Sequence, residues 1–311
     1  IRLSLVGSEM CIRDRAMRVR DFLLLVAVCL IWAFNNVLSK IIVTDWGIPP
    51  LFYASLRFAV VALVMWPWLL PMPRPAWRIV AIALCLGGGS FSLLFVGLQT
   101  VSPSEAAIIL QLGVPFTMLL SVLVLSERIH WRRGLGISLT LLGVLIVTWR
   151  PGGLSLSTGL WFVAASAFAG ATGAVLMKQV DGVTPFRFQA WVGLVSATVL
   201  TLATFLLEDG QWTSAMATGW PLAAAVLFTA LVVSVGAHSV YYHLIDRYEA
   251  NLLAPLTLMT PLATIGLGVL ITNDHFDMRM GIGGGLAMLG VLIVAMRRKP
   301  ATKLLVEREL R

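Results

Sequence analysis

Long apolar runs alternate with short polar breaks over nearly the whole chain. Each run is close to the roughly 20 residues a helix needs to cross a hydrocarbon core. Read against proline, glycine and charge, the runs predict helices near Phe22 to Val43, Leu51 to Leu70, Trp77 to Leu98, Ala106 to Leu125 and Gly134 to Trp149. Five more are predicted near Leu160 to Met177, Phe188 to Leu207, Pro221 to Leu244, Leu252 to Thr272 and Gly281 to Met296. The pattern is that of an all-α integral membrane protein with ten transmembrane helices and no room for a soluble domain.

Composition agrees, since 59% of residues are hydrophobic and 12% charged, where a soluble domain carries about a quarter charged residues. Residues 1–16 stand outside the pattern, because Leu5 to Arg15 looks like an in-frame translation of a sequencing adapter, and Met17 is the expected start. Arg18 and Arg20 then flank a first run too long for a signal-peptide core, so the run is expected to be retained.

A net charge of +8 raises the question of a nucleic-acid partner, but the cations sit in alternate loops. With a cytoplasmic N-terminus, the inner loops and tails hold sixteen Lys and Arg, and the outer loops hold only Arg150 and Arg279. Under the positive-inside rule this places both termini in the cytoplasm of a multi-pass protein of the plasma or inner cell membrane. The lipid bilayer, not nucleic acid, is the expected partner. Trp46, Trp66, Trp68, Trp77, Trp131, Trp149, Trp191, Trp212 and Trp220 fall near predicted interfaces, while Trp32 lies mid-span.

The stretch Leu142 to Val147 recurs unchanged as Leu289 to Val294, and at the same offset Glu127 meets Asp274 and Gly136 meets Gly283. Glu105-Ala106 recurs as Glu249-Ala250, Pro115 as Pro261, and Val37-Leu38 with Lys40 as Val175-Leu176 with Lys178. The chain therefore reads as one five-helix unit present twice, over residues 17–150 and 151–298, followed by a cytoplasmic tail, 299–311. An odd number of spans per unit makes the two copies enter from opposite sides, as two inverted repeats. Inverted halves can exchange conformations and open a central site to either side, although duplication can also serve simply to build a stable bundle.

Ile31 to Asn36 leading to Lys40, Arg57 in the second span, and Ser104-Glu105-Ala106-Ala107 leading to Gln111 and Pro115 carry a resemblance to a known family. With Ser126-Glu127-Arg128 and the glycine-rich fifth span, the chain from Met17 to about Arg298 resembles the ten-span EamA-type members of the drug/metabolite transporter superfamily. The resemblance implies helices around a central cavity, with spans five and ten at the periphery, and export of small metabolites such as amino acids. One departure is Thr272-Asn273-Asp274-His275, which keeps the acid of the corresponding motif without its arginine.

Arg57 lies about six residues into its span, roughly 9 Å below the boundary at ~1.5 Å per residue, where a charge must face protein or water. In a cavity it would suit a carboxylate or phosphate, favouring an acidic or zwitterionic substrate; as a structural residue it would pair or snorkel. Asn35 and Asn36 need partners for their amides in hydrocarbon, and Trp32, one turn from Asn36, can stack on a ligand or pack in the core. Gln111 and Thr117 flank Pro115, while Pro255 and Pro261 interrupt the ninth span, and broken helices at matching places point to a binding site. His238 and Tyr242 share a helical face, as proton-relay candidates or interface anchors.

The site expected from sequence is thus Trp32, Asn35, Asn36, Arg57, Gln111, Thr117, His238 and Tyr242, binding a small-molecule substrate. Lys40 and Lys178 are expected to snorkel, and the glycines of the spans to serve helix packing. No metal-binding or cofactor motif is present, and Cys29 and Cys85 lie inside apolar runs. The function expected is that of a monomeric exporter, with a dimer as the alternative assembly. A membrane-embedded lipid-modifying enzyme and a non-transporting structural or regulatory membrane protein are the competing classes; no paired nucleophile and base supports the enzyme.

Overall fold

The computed structural model describes residues 17–125, 131–150, 153–154, 157–177, 179–180, 183–248, 253 and 255–296. The leader, the Ser126 to Arg128 motif, Lys178, Glu249 and the tail from residue 297 lie outside the described residues. The described chain is helical apart from two-residue strands at Trp149–Arg150 and Gly153–Leu154, which pair antiparallel.

Among the described residues, eight helices are long and apolar enough to cross a membrane. They are α1 (Val19–Thr44), α3 (Ala76–Leu98), α4 (Pro103–Val124), α5 (Trp131–Thr148), α6 (Thr158–Met177), α7 (Pro185–Leu207), α8 (Trp220–Ile245) and α10 (Met278–Ala295). Two shorter apolar helices, α2 (Pro50–Val64) and α9 (Met259–Ile271), complete the set, and a short helix over Gln211–Thr218 connects α7 to α8. Tryptophan exposure follows the boundaries: Trp66, Trp77, Trp131, Trp149, Trp212 and Trp220 are all exposed at helix ends or in connecting segments.

Proline explains the two short helices. Pro67 cannot donate to the Leu63 carbonyl, and α2 gives way to a 3₁₀ turn over Trp66–Trp68. Pro261 likewise leaves the Thr257 carbonyl without its helical donor, and Thr260 N–H takes it at 3.0 Å, so that regular helix resumes only at Met259. Pro115 does the same to Gln111 in α4, where a 3₁₀ segment occupies Leu110–Leu112.

Wider turns appear in α3 and α8, as π-helical segments over Leu84–Gly89 and Phe228–Ala237. In α8 two side chains cap the loosened carbonyls. Ser234 Oγ donates to Thr229 O at 3.0 Å, and His238 Nδ1 donates to Val233 O at 2.8 Å, each five residues back.

The helices pack in pairs: α5 on α10, α2 on α7, α3 on α6, α1 on both α8 and α9, and α4 on both α6 and α9. Glycine permits the closest of these approaches. A Cβ on Gly136 would stand 2.7 Å from the Gly290 carbonyl, and one on Gly283 would stand 2.6 Å from that of Gly143. Gly134 and Gly285 depart from the packing role expected of them, because nothing lies near enough for a Cβ to touch.

At the face opposite the α1 N-terminus, side chains bind helix ends. Glu208 accepts from the Leu51 and Phe52 N–H groups at 2.8 and 2.9 Å, capping α2. Asp274 accepts from Ser104 N–H at 2.9 Å and from its hydroxyl, at the start of α4. Lys40 is more specific than a snorkelling lysine, since Nζ donates to the Leu98 and Gln99 carbonyls at 2.7 and 3.4 Å, at the end of α3.

Candidate substrate-binding cavity

A cavity of about 410 Å³ opens between α1, α4, α9 and α10. Trp32 and Asn36 of α1, Gln111 of α4 and Thr257, Thr260 and Thr264 at the start of α9 supply its polar wall. Leu110, Val114, Leu258, Val291 and Val294 supply the apolar one. It lies toward the α1 N-terminal face, because Thr257 and Ala295 stand at the helix ends there. Helix α10, expected at the periphery, contributes part of the wall.

The polar groups of this wall are oriented by their own helices. Gln111 Nε2 donates to Ala107 O at 3.0 Å, which turns its amide oxygen outward from that bond. Thr264 is fully buried; its hydroxyl donates to Thr260 O at 2.9 Å and accepts from Asn36 Nδ2 at 3.4 Å, tying α1 to α9. Among the described residues, no charged side chain lines the cavity.

Arg57 lies elsewhere, in the interior between α1, α2 and α8, and is 0% exposed. Its Nε donates to Ser234 Oγ at 2.9 Å and its Nη1 to Asn35 Oδ1 at 3.3 Å. Its guanidinium carbon sits 4.5 Å from the centre of the Phe91 ring and 5.9 Å from that of Phe58, a cation–π arrangement. Among the described residues no carboxylate pairs with it. Asn35 is held in turn, since Ser39 Oγ donates to its backbone carbonyl at 2.7 Å.

Trp32 joins the two regions. Its ring lines the cavity and packs against His238 and Tyr241, with centroids 5.2 and 5.1 Å away. His238 is followed by Tyr242, 6.4 Å from it.

Of the eight residues expected from sequence, Trp32, Asn36 and Gln111 come together in the cavity wall, and Asn35 and Arg57 in the buried cluster beside it. His238 and Tyr242 belong to the aromatic group against Trp32. Thr117 is not brought to them. It lines a second cavity of about 410 Å³ between α3, α4 and α6, and its hydroxyl is used by the Gly113 carbonyl at 2.7 Å. Ser234 and the three threonines of α9 escaped the sequence reading. Their signals were present, because Ser234 lies one turn before His238 and Thr257, Thr260 and Thr264 follow helical spacing.

A bundle of apolar helices enclosing a cavity with one polar wall is a multi-pass membrane protein with a small-molecule site. The EamA-like transporter family model matches residues 20–149 and again 157–296, and the chain belongs to that family. It is 26% identical over 283 residues to a protein of Salmonella typhimurium named a probable amino-acid metabolite efflux pump, covering 88% of this chain and 94% of the relative. A protein of the same name in Escherichia coli is 27% identical, with the same coverage. A probable terminal-alkyne amino-acid exporter of Streptantibioticus cattleyicolor is 25% identical and covers 88% of this chain and 92% of its own length. One crystal structure superposes with a TM-score of 0.61 at 20% identity, over 95% of this chain and 100% of the other, a likeness of fold. As a member of that family the protein is a membrane transporter.

Proposed function

We propose that this transporter exports amino acids or similar amphipathic metabolites by alternating access through the cavity between α1, α4, α9 and α10. The observation that carries the reading is the cavity itself: about 410 Å³, with amide and hydroxyl groups along one wall and aliphatic side chains along the other. That size falls within the roughly 300–1,000 Å³ of small-molecule sites. Trp32, Asn36 and Gln111 are its substrate-facing residues, with Asn35, Arg57, His238 and Tyr242 in the layer behind Trp32. The names carried by the bacterial relatives favour amino-acid cargo.

All ten apolar helices cross the membrane in this reading, α2 and α9 being lengthened by their irregular flanks, as two inverted five-helix halves over residues 17–150 and 151–298. The double match to the family model supports it. So does the packing: exchanging each helix with the one five positions along turns α3 on α6 into α1 on α8, and α1 on α9 into α4 on α6, and returns the other pairs to themselves. The π segments of α3 and α8 stand at corresponding places. With both termini cytoplasmic, as the cation distribution favours, the cavity faces inward. Substrate and ion coupling are read together by screening labelled metabolites for uptake into proteoliposomes under imposed solute and proton gradients. Saturable flux of at least one amino acid is expected; saturable flux confined to unrelated solutes would overturn the assignment of cargo.

A further inference from the structure

The interior beside the cavity is rich in donors and poor in acceptors. Arg57 brings five N–H groups into a site with no access to solvent. Its Nε and Nη1 are used by Ser234 and Asn35, while Nη2 is buried without an acceptor. The indole N–H of Trp32 is also buried without an acceptor. These two donors border one region. Trp32 lies one turn before Asn35 on α1, and its ring packs on His238, which lies one turn after Ser234 on α8. The same two helical turns therefore carry both acceptors of Arg57 and the second unpartnered donor.

A permanently charged, fully buried guanidinium without a counter-charge is costly. So is a buried N–H without an acceptor. A purely structural cluster would lower both costs by placing a carboxylate or carbonyl against Arg57 Nη2 and the Trp32 indole N–H, and the described residues present neither to these two donors. A ligand with two coplanar anionic oxygens meets both needs, since it matches the guanidinium fork. Trp32 is already part of the cavity wall, as is Asn36, the neighbour of Asn35. Trp32, which lines the cavity, stands one turn before Asn35, an acceptor of Arg57.

We propose that Arg57 and the Trp32 indole N–H form the carboxylate subsite of the transported molecule, whose remainder lies in the cavity against Leu110, Val114 and Val291. The cargo is then a monocarboxylate with an apolar tail, and Trp32 is the movable wall that admits its head. The inference rests on the export reading and adds the part of the cargo that must be present.

The test compares amino acids with their own primary amides, using leucine, methionine and phenylalanine with leucinamide, methioninamide and phenylalaninamide. Initial uptake rates are measured in proteoliposomes of the full chain. Wild type is expected to carry at least one acid with a KM at least tenfold below that of its amide. Trp32→Phe removes the indole N–H together with part of the ring, so its effect on the acid is read against its effect on the amide. It should raise the KM of the acid several-fold more than that of the amide. Arg57→Gln should abolish the preference for the acid, a loss of roughly tenfold or more.

Equal handling of acid and amide by wild type would overturn the subsite, as would a Trp32→Phe protein with an unaltered ratio of acid KM to amide KM. Saturable flux of solutes without a carboxylate, and of none of these acids, would overturn it while leaving transport intact. Absence of saturable flux for every solute would instead remove the export reading on which it stands.

Discussion

Arg57 organises the interior through contacts that are remote in sequence. One acceptor, Asn35, is 22 residues away and the other, Ser234, is 177. A hydropathy pattern places the arginine within a span but gives no account of what surrounds it, because its neighbours are chosen by how α1, α2 and α8 meet. That is why Asn35 and Arg57 were both legible as candidates and their hydrogen bond was not. Replacing Ser234 with Ala would leave a further buried N–H without an acceptor, and a loss of about 1–3 kcal/mol is expected. In a double-mutant cycle with Arg57→Met the two losses should fall short of additivity by at least 0.5 kcal/mol, as for residues in contact. Thermal or denaturant unfolding in detergent measures both; additive losses would mean that the contact is not maintained.

At the scale of elements, apolar run length was sufficient to locate most of the helices, and proline marked where they become irregular. The tools of sequence reading failed at the π segments, where the extra residue per turn is fixed by packing. In α3 a Cβ on Gly87 would come 2.8 Å from the Val192 side chain of α7. The glycine content of α5 and α10 was legible as a packing signal, but which glycines meet was not: Gly143 is in contact and Gly134 faces open space. Gly143→Leu should therefore destabilise the protein by about 1–3 kcal/mol, as overpacking does. Gly134→Leu should be neutral or slightly stabilising, because it adds only helix propensity. The same melting curves separate the two outcomes.

The start of α10 adds a pH-dependent element. Asp277 caps the helix, and the Met280 backbone N–H at 2.9 Å, followed by the Arg279 guanidinium, holds its carboxyl below the ordinary carboxylate range. Arg279 also reaches the Trp149 carbonyl at 2.6 Å, which fastens the end of α5 to the start of α10. A depressed carboxylate contributes stability that is complete above its ordinary range and is lost as the pH falls through its shifted value. Asp277→Asn should accordingly flatten the acid limb of a plot of melting temperature against pH by lowering the neutral region toward the acid one. An unchanged acid limb would show that other groups set it.

At the scale of the molecule, a shift of five helices exchanges some packing pairs and returns the rest to themselves, and the helix ends of one face are bound by Lys40, Glu208 and Asp274. The proposed repeat rests in the sequence on short apolar identities and a few charged positions, and the proposed polarity of the faces on cation counts. The location of the cavity was not, because it depends on how α9 and α10 lie against α1 and α4. In the cycle proposed above, its opening toward the α1 N-terminal face corresponds to one of the two states that alternating access requires.

Counterflow in proteoliposomes tests this account most directly. Vesicles preloaded with a millimolar unlabelled amino acid carried by the protein are diluted into a trace of the same compound in labelled form. A carrier that alternates around one site should accumulate label transiently above its outside concentration, and Arg57→Gln should suppress the overshoot. Label that only equilibrates, at the same rate with or without preloading, in protein whose melting curve shows it to be folded, would contradict alternating access through this cavity.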